Sequence, residues 1–404
     1  MTFFSASGKA DFHQQLQDAL ARHVEPEALP RLMRFAEQFF AIAPLEELQQ
    51  NRLSDLEGST LSAWRLLEAF RGEPVVRAFN PDYEQHGWQS AHSVVQVLHP
   101  DMPFLVDSVR MALNRRGHSI HTLQNSVLSV RRGADGELLD ILPRGGQGDG
   151  VRSEALILLE IDRCASAAEL RDLQQLLGEV LGEVRLAVGD FPAMQDQVRR
   201  LLDYLAQRDG QHPEVAEVRA FYQWLLDNHF TFLGYEEFCV VEDARGARVE
   251  YDEGTLLGLS RLLRSGLSDV QRSIEPAALA FLREPCLLSF AKASQPSHVH
   301  RAAYPDLVSL RVLDEQGQVV RECRFVGLYT STLYTESVTR IPHVRRKVEA
   351  ILERSGFDLH AHLGKELAQV LEVLPRDELF QTPVDALYET AIAIVQIQER
   401  NKLR

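Results

Sequence analysis

Hydrophobic positions recur every third or fourth residue at the start of the chain, where Phe12, Leu16 and Leu20 form one stripe and Leu32, Phe35, Ala36 and Phe39 another. Such spacing predicts amphipathic helices. Trp64, Leu66, Leu67 and Phe70 continue it until Arg71-Gly72-Glu73-Pro74 interrupts, so residues 1–73 read as core-facing helices. The period then changes. Val75 to Phe79 is a short strand ending at Asn80-Pro81. Val94, Val95, Val97 and Leu98 form a β-branched run closed by His99-Pro100, since proline cannot donate to a sheet ladder. Asp101 is placed to cap the next helix and Pro103 suits its first turn. Leu105, Val109 and Leu113 give that helix one apolar face, expected to be buried on the sheet, and Gly117 stops it. Ile120 to Val130 is the following strand.

Gly145, Gly146, Gly148 and Gly150 cluster in RGGQGDG, but a phosphate-binding loop needs a helix directly after it, and here the strand Ala155 to Ile161 follows. Residues 135–152 therefore read as a flexible hairpin connection. Ser166-Ala167-Ala168-Glu169 fits a capping box, and Leu170, Leu173, Leu177 and Val180 supply the stripe of a second helix. Gly182 is expected to end it, with Val184, Leu186 and Val188 alternating as a fourth strand. The resulting order, β-α-β-β-α-β, is the ferredoxin-like arrangement of two helices on one face of an antiparallel sheet.

From Pro192 to about Phe230 the stripes are helical again, Val198, Leu201, Leu202 and Leu205 followed by Val215, Val218, Tyr222 and Leu225, separated by the turn Asp209-Gly210. Strands are then expected at Phe238 to Val241, at Val249 and Tyr251 beyond the charged turn EDARGA, and at Leu287 to Ala291, Leu307 to Leu313 and Cys323 to Thr330. A helix is expected at Leu256 to Leu263, and a hairpin at Asp314-Glu315-Gln316-Gly317. The fold class is thus α+β. Its parts are N-terminal helices (1–73), a ferredoxin-like domain (74–190), a helical linker (191–229), a second antiparallel-sheet domain (230–335) and C-terminal helices (336–404).

Composition narrows the functions. Forty-three basic residues against fifty-eight acidic ones give a net charge of −15, which makes nucleic acid and anionic membrane poor partners. No window approaches eighteen apolar residues and the N-terminus lacks a signal-like pattern, so a cytoplasmic location is expected. Cys164, Cys239, Cys286 and Cys323 are far apart without a CxxC pair, which reads as reduced thiols.

Candidate chemistry is sparse. The pairs His298/His300 and His360/His362 place two imidazoles on one side of an extended chain, but with Asp306 the only carboxylate near the first pair a metal set is not complete, and no metal site is assigned. Asp101 and Asp107 lie six residues apart across a turn and a helix start, which gives no paired carboxylates. Arg376-Asp377-Glu378 after Pro375 is a helix start with its acids at the positive end of the dipole. No nucleophile elbow, HExxH, P-loop or dinucleotide fingerprint occurs. Neither a catalytic nor a cofactor-binding residue is assigned.

The Asp-x-Pro turn between the first strand and first helix of this domain resembles the ACT regulatory domain, which implies an amino-acid effector near Asp101, Met102, Pro103, Phe104 and Asp107, bound between subunits. Phe104 departs from that pattern, standing where ACT domains that bind amino acids usually carry glycine. Several blocks together, AFNPDYEQHGW (78–88), DMPFLVDSV (101–109), DNHFTFLGY (227–235), HVHR (298–301), FVGLYTS (325–331), IPHVRRKV (341–348) and LPRDELFQ (374–381), resemble the N-terminal regulatory region of the large NAD-specific glutamate dehydrogenases of bacteria. The resemblance implies ACT-like and PAS-like domains, the PAS-like one being the second sheet domain. It also implies that the C-terminal helices (336–404) are truncated before further domains, that NAD is bound outside this chain, and that the partners are the enzyme's own catalytic domain and other subunits of a homo-oligomer. The other reading is a free-standing amino-acid or small-molecule sensor with no enzyme attached.

Overall fold

A computed structural model describes residues 8–41, 43, 48, 51–208, 210, 214–243, 246–264, 267–358 and 360–402. The chain divides into two compact units, Met1–Val184 with His298–Ala302, and Arg185–Ser297 with Ala303–Arg404.

The first unit begins with α1 (Gly8–Leu20), α2 (Leu29–Phe39) and α3 (Leu53–Ala69). Their apolar stripes are buried as the spacing predicts, from Phe12 and Leu16 to Trp64 and Leu67. Next come β1 (Val75–Phe79), the short α4 (Tyr83–His86), β2 (Ser93–Pro100), α5 (Leu105–Arg115), β3 (Ile120–Arg132), β4 (Leu138–Leu142), β5 (Val151–Ile161) and α6 (Ala167–Gly189), whose residues from Arg185 onward are counted with the second unit. The five strands form an antiparallel sheet in the order β1-β2-β5-β3-β4.

Both faces of that sheet are covered. Val94, Leu98, Leu128, Val130, Leu156 and Leu158 share one hydrophobic cluster with α1, α2 and α3. By the pleat Val95 and Val97 point the other way, and they too are fully buried. On α5, Leu105, Val109 and Leu113 are 3%, 0% and 0% exposed, as expected. α6 is anchored to the edge strand where Gln174 Nε2 donates to the Val76 carbonyl at 3.1 Å. Double coverage explains why β2 reads as an almost unbroken apolar run where a one-sided strand would alternate.

Three expectations are corrected. The segment Val184 to Val188 is not a fourth strand but the last turns of α6, and β1 takes the edge place beside β2. Alternation there was ambiguous, because Val180, Val184 and Ala187 also follow helical spacing, and they are the buried set. Asp101 does not cap α5. Its N–H pairs with the Ser153 carbonyl at 2.9 Å, and Phe104 is the N-cap, without a side-chain bond. Met102 precedes a proline and is disfavoured from helical angles, which delays the helix start. Finally, residues 135–152 are not one hairpin connection. β4 lies within them, and the glycine run carries the chain from β4 to β5, which flank β3 on opposite sides.

Two local predictions hold in detail. Gly117, at φ 82°, ends α5 with the His118 N–H reaching back to the Leu113 carbonyl at 3.1 Å. The Glu169 N–H donates to Ser166 Oγ at 3.2 Å, while the Glu169 carboxylate accepts the Ala165 N–H at 2.8 Å.

In the second unit, α7 (Phe191–Ala206) and α8 (Val215–Trp224) lead through a kinked turn, Leu225–His229, in which Asn228 has φ 62°, into β6 (Phe230–Asp243), β7 (Gly246–Tyr251) and β8 (Leu257–Gly258). The helices α9 (Ser260–Arg264), α10 (Asp269–Arg272) and α11 (Pro276–Arg283) precede β9 (Leu288–Lys292), β10 (Asp306–Leu313) and β11 (Val319–Tyr329). The antiparallel order is β7-β6-β11-β10-β9, with β8 on β6. The expected hairpin joins β10 and β11, where the Asp314 N–H donates to the Gln318 carbonyl at 2.9 Å. The helix expected at Leu256 to Leu263 starts later, because Leu257 and Gly258 pair with β6. Within the turns expected from the sequence, Asp209, Ala244 and Arg245 lie outside the described residues.

The chain continues with α12 (Thr332–Thr335), α13 (Val344–Ser355), α14 (His362–Val373), α15 (Arg376–Gln381) and α16 (Val384–Lys402). α7, α8, the sheet and these helices share one core that includes Val198, Tyr222, Phe325, Ile351 and Phe380. α15 begins at Arg376 with Asp377 and Glu378 in its first turn, as expected. Among the described residues no helix is long and apolar enough to cross a membrane.

Candidate functional site

The turn between β2 and α5 carries the predicted effector residues. Asp101 and Pro103 are exposed, Met102 and Phe104 half-buried, and Asp107 is exposed in the first helical turn, where its charge complements the helix dipole. Phe104 holds φ 73°, and its carbonyl accepts the Ser108 N–H at 3.0 Å, the first bond of the helix. A left-handed backbone is where glycine is favoured, so the phenylalanine keeps the turn geometry while filling space that glycine would leave open.

The filling is completed by His298–Ala302, which groups with the first unit. The His300 ring packs on Phe104 with centroids 4.6 Å apart, and the His300 N–H donates to Ser108 Oγ at 3.1 Å. Burial lowers the His300 pKa, helped by Arg301 and opposed by Asp107. Beside this contact lies an open cleft of about 390 Å³, lined by Asp107, Arg110, Asn114, Arg115, His300 and Arg301. Its guanidinium groups suit a carboxylate, and Asp107 suits an ammonium group. Of the five predicted residues only Asp107 lines the cleft; Phe104 adjoins it through His300, and Asp101, Met102 and Pro103 are not part of its wall. Nothing in the sequence pattern marks His300, Arg110 and Arg115 as effector residues. The HVHR block was the available signal, but nothing local ties it to α5.

The two histidine pairs do not converge. His298 turns to Glu183 on α6, 3.1 Å away, while His300 faces α5. His362 Nε2 lies 2.9 Å from Glu399 Oε1, whereas the His360 N–H donates to Asp358.

A second cluster of titratable groups lies on the sheet of the second unit. Glu236 accepts from Arg264 at 2.7 Å and from Arg324 at 3.3 Å, and Glu322 accepts from Arg324 at 2.6 Å and from Arg311 at 3.3 Å. Burial opposes ionisation of Arg264, yet Glu236 and Tyr251 outweigh it and its pKa rises. Each carboxylate here is paired with two guanidiniums, and only Arg311 Nη2 of the group is left buried without a partner, so the ladder is a paired structural network and not an acid–base centre. Neighbouring Glu237 behaves alike. Burial would raise its carboxyl, but Tyr235, Arg200 and Arg321 hold it below the usual carboxylate range.

Residues 35–177 match the family model for the glutamate dehydrogenase ACT1 domain, and residues 341–400 match that for glutamate dehydrogenase helical motif 1. An NAD-specific glutamate dehydrogenase of Pseudomonas aeruginosa is 64% identical over 407 residues, covering 100% of this chain and 25% of that protein. One of Halomonas elongata is 41% identical over 98% of this chain and 25% of its own length. One of Mycobacterium tuberculosis is 28% identical over 81% of this chain and 19% of its own length. The chain therefore spans about a quarter of the length of the first two of these curated relatives.

Proposed function

The chain belongs, along its whole length, with the N-terminal region of the large bacterial NAD-specific glutamate dehydrogenases, and from that premise we propose that it is the regulatory and assembly region of such an enzyme and carries no active site of its own. The observation behind this reading is the 64% identity across the entire chain to a protein four times its length. The whole enzyme would oxidise L-glutamate to 2-oxoglutarate and ammonia while reducing NAD, in a catalytic domain outside this chain. Hydride transfer needs a bound nicotinamide, and no glycine cluster here sits between a strand and a helix as a dinucleotide site requires. Residues 74–190 would then serve as the ACT-like domain and 230–335 as the PAS-like one, in a cytoplasmic homo-oligomer. The PAS-like reading is supported by a sheet whose last strand, β11, lies beside its first, β6, with three helices inserted before β9.

Regulation would act by biasing the catalytic domain between states of different substrate affinity, a coupling of about 1–3 kcal/mol in typical cases. The effector in this reading is an amino acid held near Asp101, Met102, Pro103, Phe104 and Asp107, its carboxylate toward the N-terminus of α5. Calorimetry with a panel of amino acids at millimolar concentration, on this chain and on Phe104→Gly, tests the effector. Binding only after the substitution would mean that Phe104 has closed the site and the domain serves assembly. NADH absorbance with glutamate and NAD, on this chain and on the full-length product, tests the rest. Turnover by the chain alone would overturn the non-catalytic assignment, and a full-length product inactive on glutamate would overturn the enzyme assignment.

A further inference from the structure

We propose that His118, Cys164 and Glu169 bind a zinc ion at one end of the first sheet. Their ligand atoms all lie within 4.8 Å of one another, although the residues come from three separate segments. His118 follows the glycine that ends α5, Cys164 follows β5, and Glu169 stands in the first turn of α6. A thiolate, an imidazole and a carboxylate are donors that zinc takes at about 2.0–2.3 Å. That radius places donor atoms within about 4 Å of each other, so the trio needs only a small contraction to close on the ion. The mixture with sulfur also selects against magnesium and calcium, which prefer sets of oxygen donors.

Each donor is held from behind. The Cys164 N–H donates to Ser93 Oγ at 2.8 Å, and the Cys164 carbonyl accepts from Asn80 Nδ2 at 3.0 Å. Glu169 Oε2 is fixed by the Ala165 N–H at 2.8 Å, which leaves Oε1 as the oxygen for the metal. The His118 backbone is pinned by its bond to Leu113. Of these supports the one on the Glu169 carboxylate acts on the ligand group itself, while those on His118 and Cys164 fix the backbone that carries it. Cys164 is buried at 2% exposure while His118 and Glu169 are half-buried, so the trio faces solvent on one side and a water can complete a tetrahedron there. Binding would release the thiol proton to solvent and tie the C-terminal end of α5 to the N-terminal end of α6.

Cobalt titration of the metal-stripped whole chain, kept reduced without added thiol, tests this directly. One Co²⁺ per chain should bind, with a thiolate charge-transfer band in the near ultraviolet, and one equivalent of Zn²⁺ should displace it. Cys164→Ser should abolish the band, and His118→Ala should weaken binding about 100-fold or more. Cys239→Ser should change neither. At free Zn²⁺ roughly 100 times its Kd the melting temperature of the first unit should rise by about 5–10 °C, and His118→Ala should remove that rise. Should Cys164→Ser fail to fold, the half-buried His118→Ala decides alone. Absence of the thiolate band, or a band and stoichiometry that survive His118→Ala, overturns the site.

Discussion

Phe104 and His300 both hold left-handed backbones, at φ 73° and 71°, and their rings pack with centroids 4.6 Å apart. A non-glycine residue in that region costs about 1–2 kcal/mol. Two such costs in contact persist only where the surroundings over-determine the geometry. Here the ring contact and the His300 N–H bond to Ser108 do so. The device fastens a distant segment over the N-terminus of α5.

Once the Phe104 ring is removed, the left-handed backbone should favour glycine over alanine. Phe104→Ala and Phe104→Gly both lose the ring contact, but alanine retains the left-handed cost. The glycine variant should be more stable than the alanine variant by about 1 kcal/mol. Urea unfolding of the two variants, monitored on the first unit, measures the difference. Alanine equal to or better than glycine would mean that the backbone at 104 is not left-handed.

Arg132 and Glu154 form a pair at 0% and 3% side-chain exposure, with both guanidinium–carboxylate bonds at 2.7 Å. The remaining Arg132 donors reach the carbonyls of Leu67, Phe70 and Gly136, so one side chain both neutralises Glu154 and covers the C-terminal end of α3. Arg132→Met should cost about 3–5 kcal/mol, because it leaves a buried charge unpaired. Adding Glu154→Leu should restore a good part of that loss. A double variant no better than the single one would place the cost in the lost carbonyl bonds instead.

What could be read from the sequence was what neighbours in the chain decide. The buried face of α5, its stop at Gly117, the Ser166–Glu169 capping box and the Asp314 hairpin each depend on residues a few positions apart. The edge position of β1 was not legible in this way. The local pattern marks Val75 to Phe79 as a strand, yet its pairing with Val94 to Leu98 is a choice among partners that no local pattern makes. The Phe104–His300 lock lies further out of reach, since His300 and its bonded partner Ser108 are 192 positions apart. The zinc trio is similar: Cys164 reads as an isolated thiol until the fold brings His118 beside it.

His343 heads α13 with its ring 5.1 Å from Phe290. Burial, aided by the Lys347 and Arg346 cations and opposed by Glu217, pushes its pKa from 6.5 down to about 4. Between these values the unfolded chain binds a proton that the folded chain refuses. Stability should accordingly rise with pH across the window and be lost as pH falls from about 6.5 toward 4. The contribution is on the order of 1–3 kcal/mol. Urea midpoints at pH 7 and pH 4.5 should fall further for the natural chain than for His343→Gln, which cannot titrate. Equal falls would show that the imidazole is no better shielded when folded.

Gly182 gives the clearest sign test of where α6 ends. By local spacing it marks a helix stop with a strand to follow, whereas in the fold it lies inside Ala167–Gly189. A methyl group there would meet no atom within 4 Å, and Gly182 is absent from the glycines with positive φ. A glycine in a helix interior costs about 0.5–1 kcal/mol relative to alanine, through backbone freedom in the unfolded chain. Gly182→Ala should thus stabilise by about that amount, and Gly178→Ala, one turn earlier and equally open, should do the same. Val184 and Ala187 are buried two and five residues beyond, so continuity of the helix through position 182 is what delivers them to their buried places. If instead the helix stopped at Gly182 with a left-handed residue, alanine would destabilise by about 1 kcal/mol or more. Thermal unfolding of the two single variants and their double decides. Destabilisation at 182 with stabilisation at 178 would return Val184 to Val188 to the sheet.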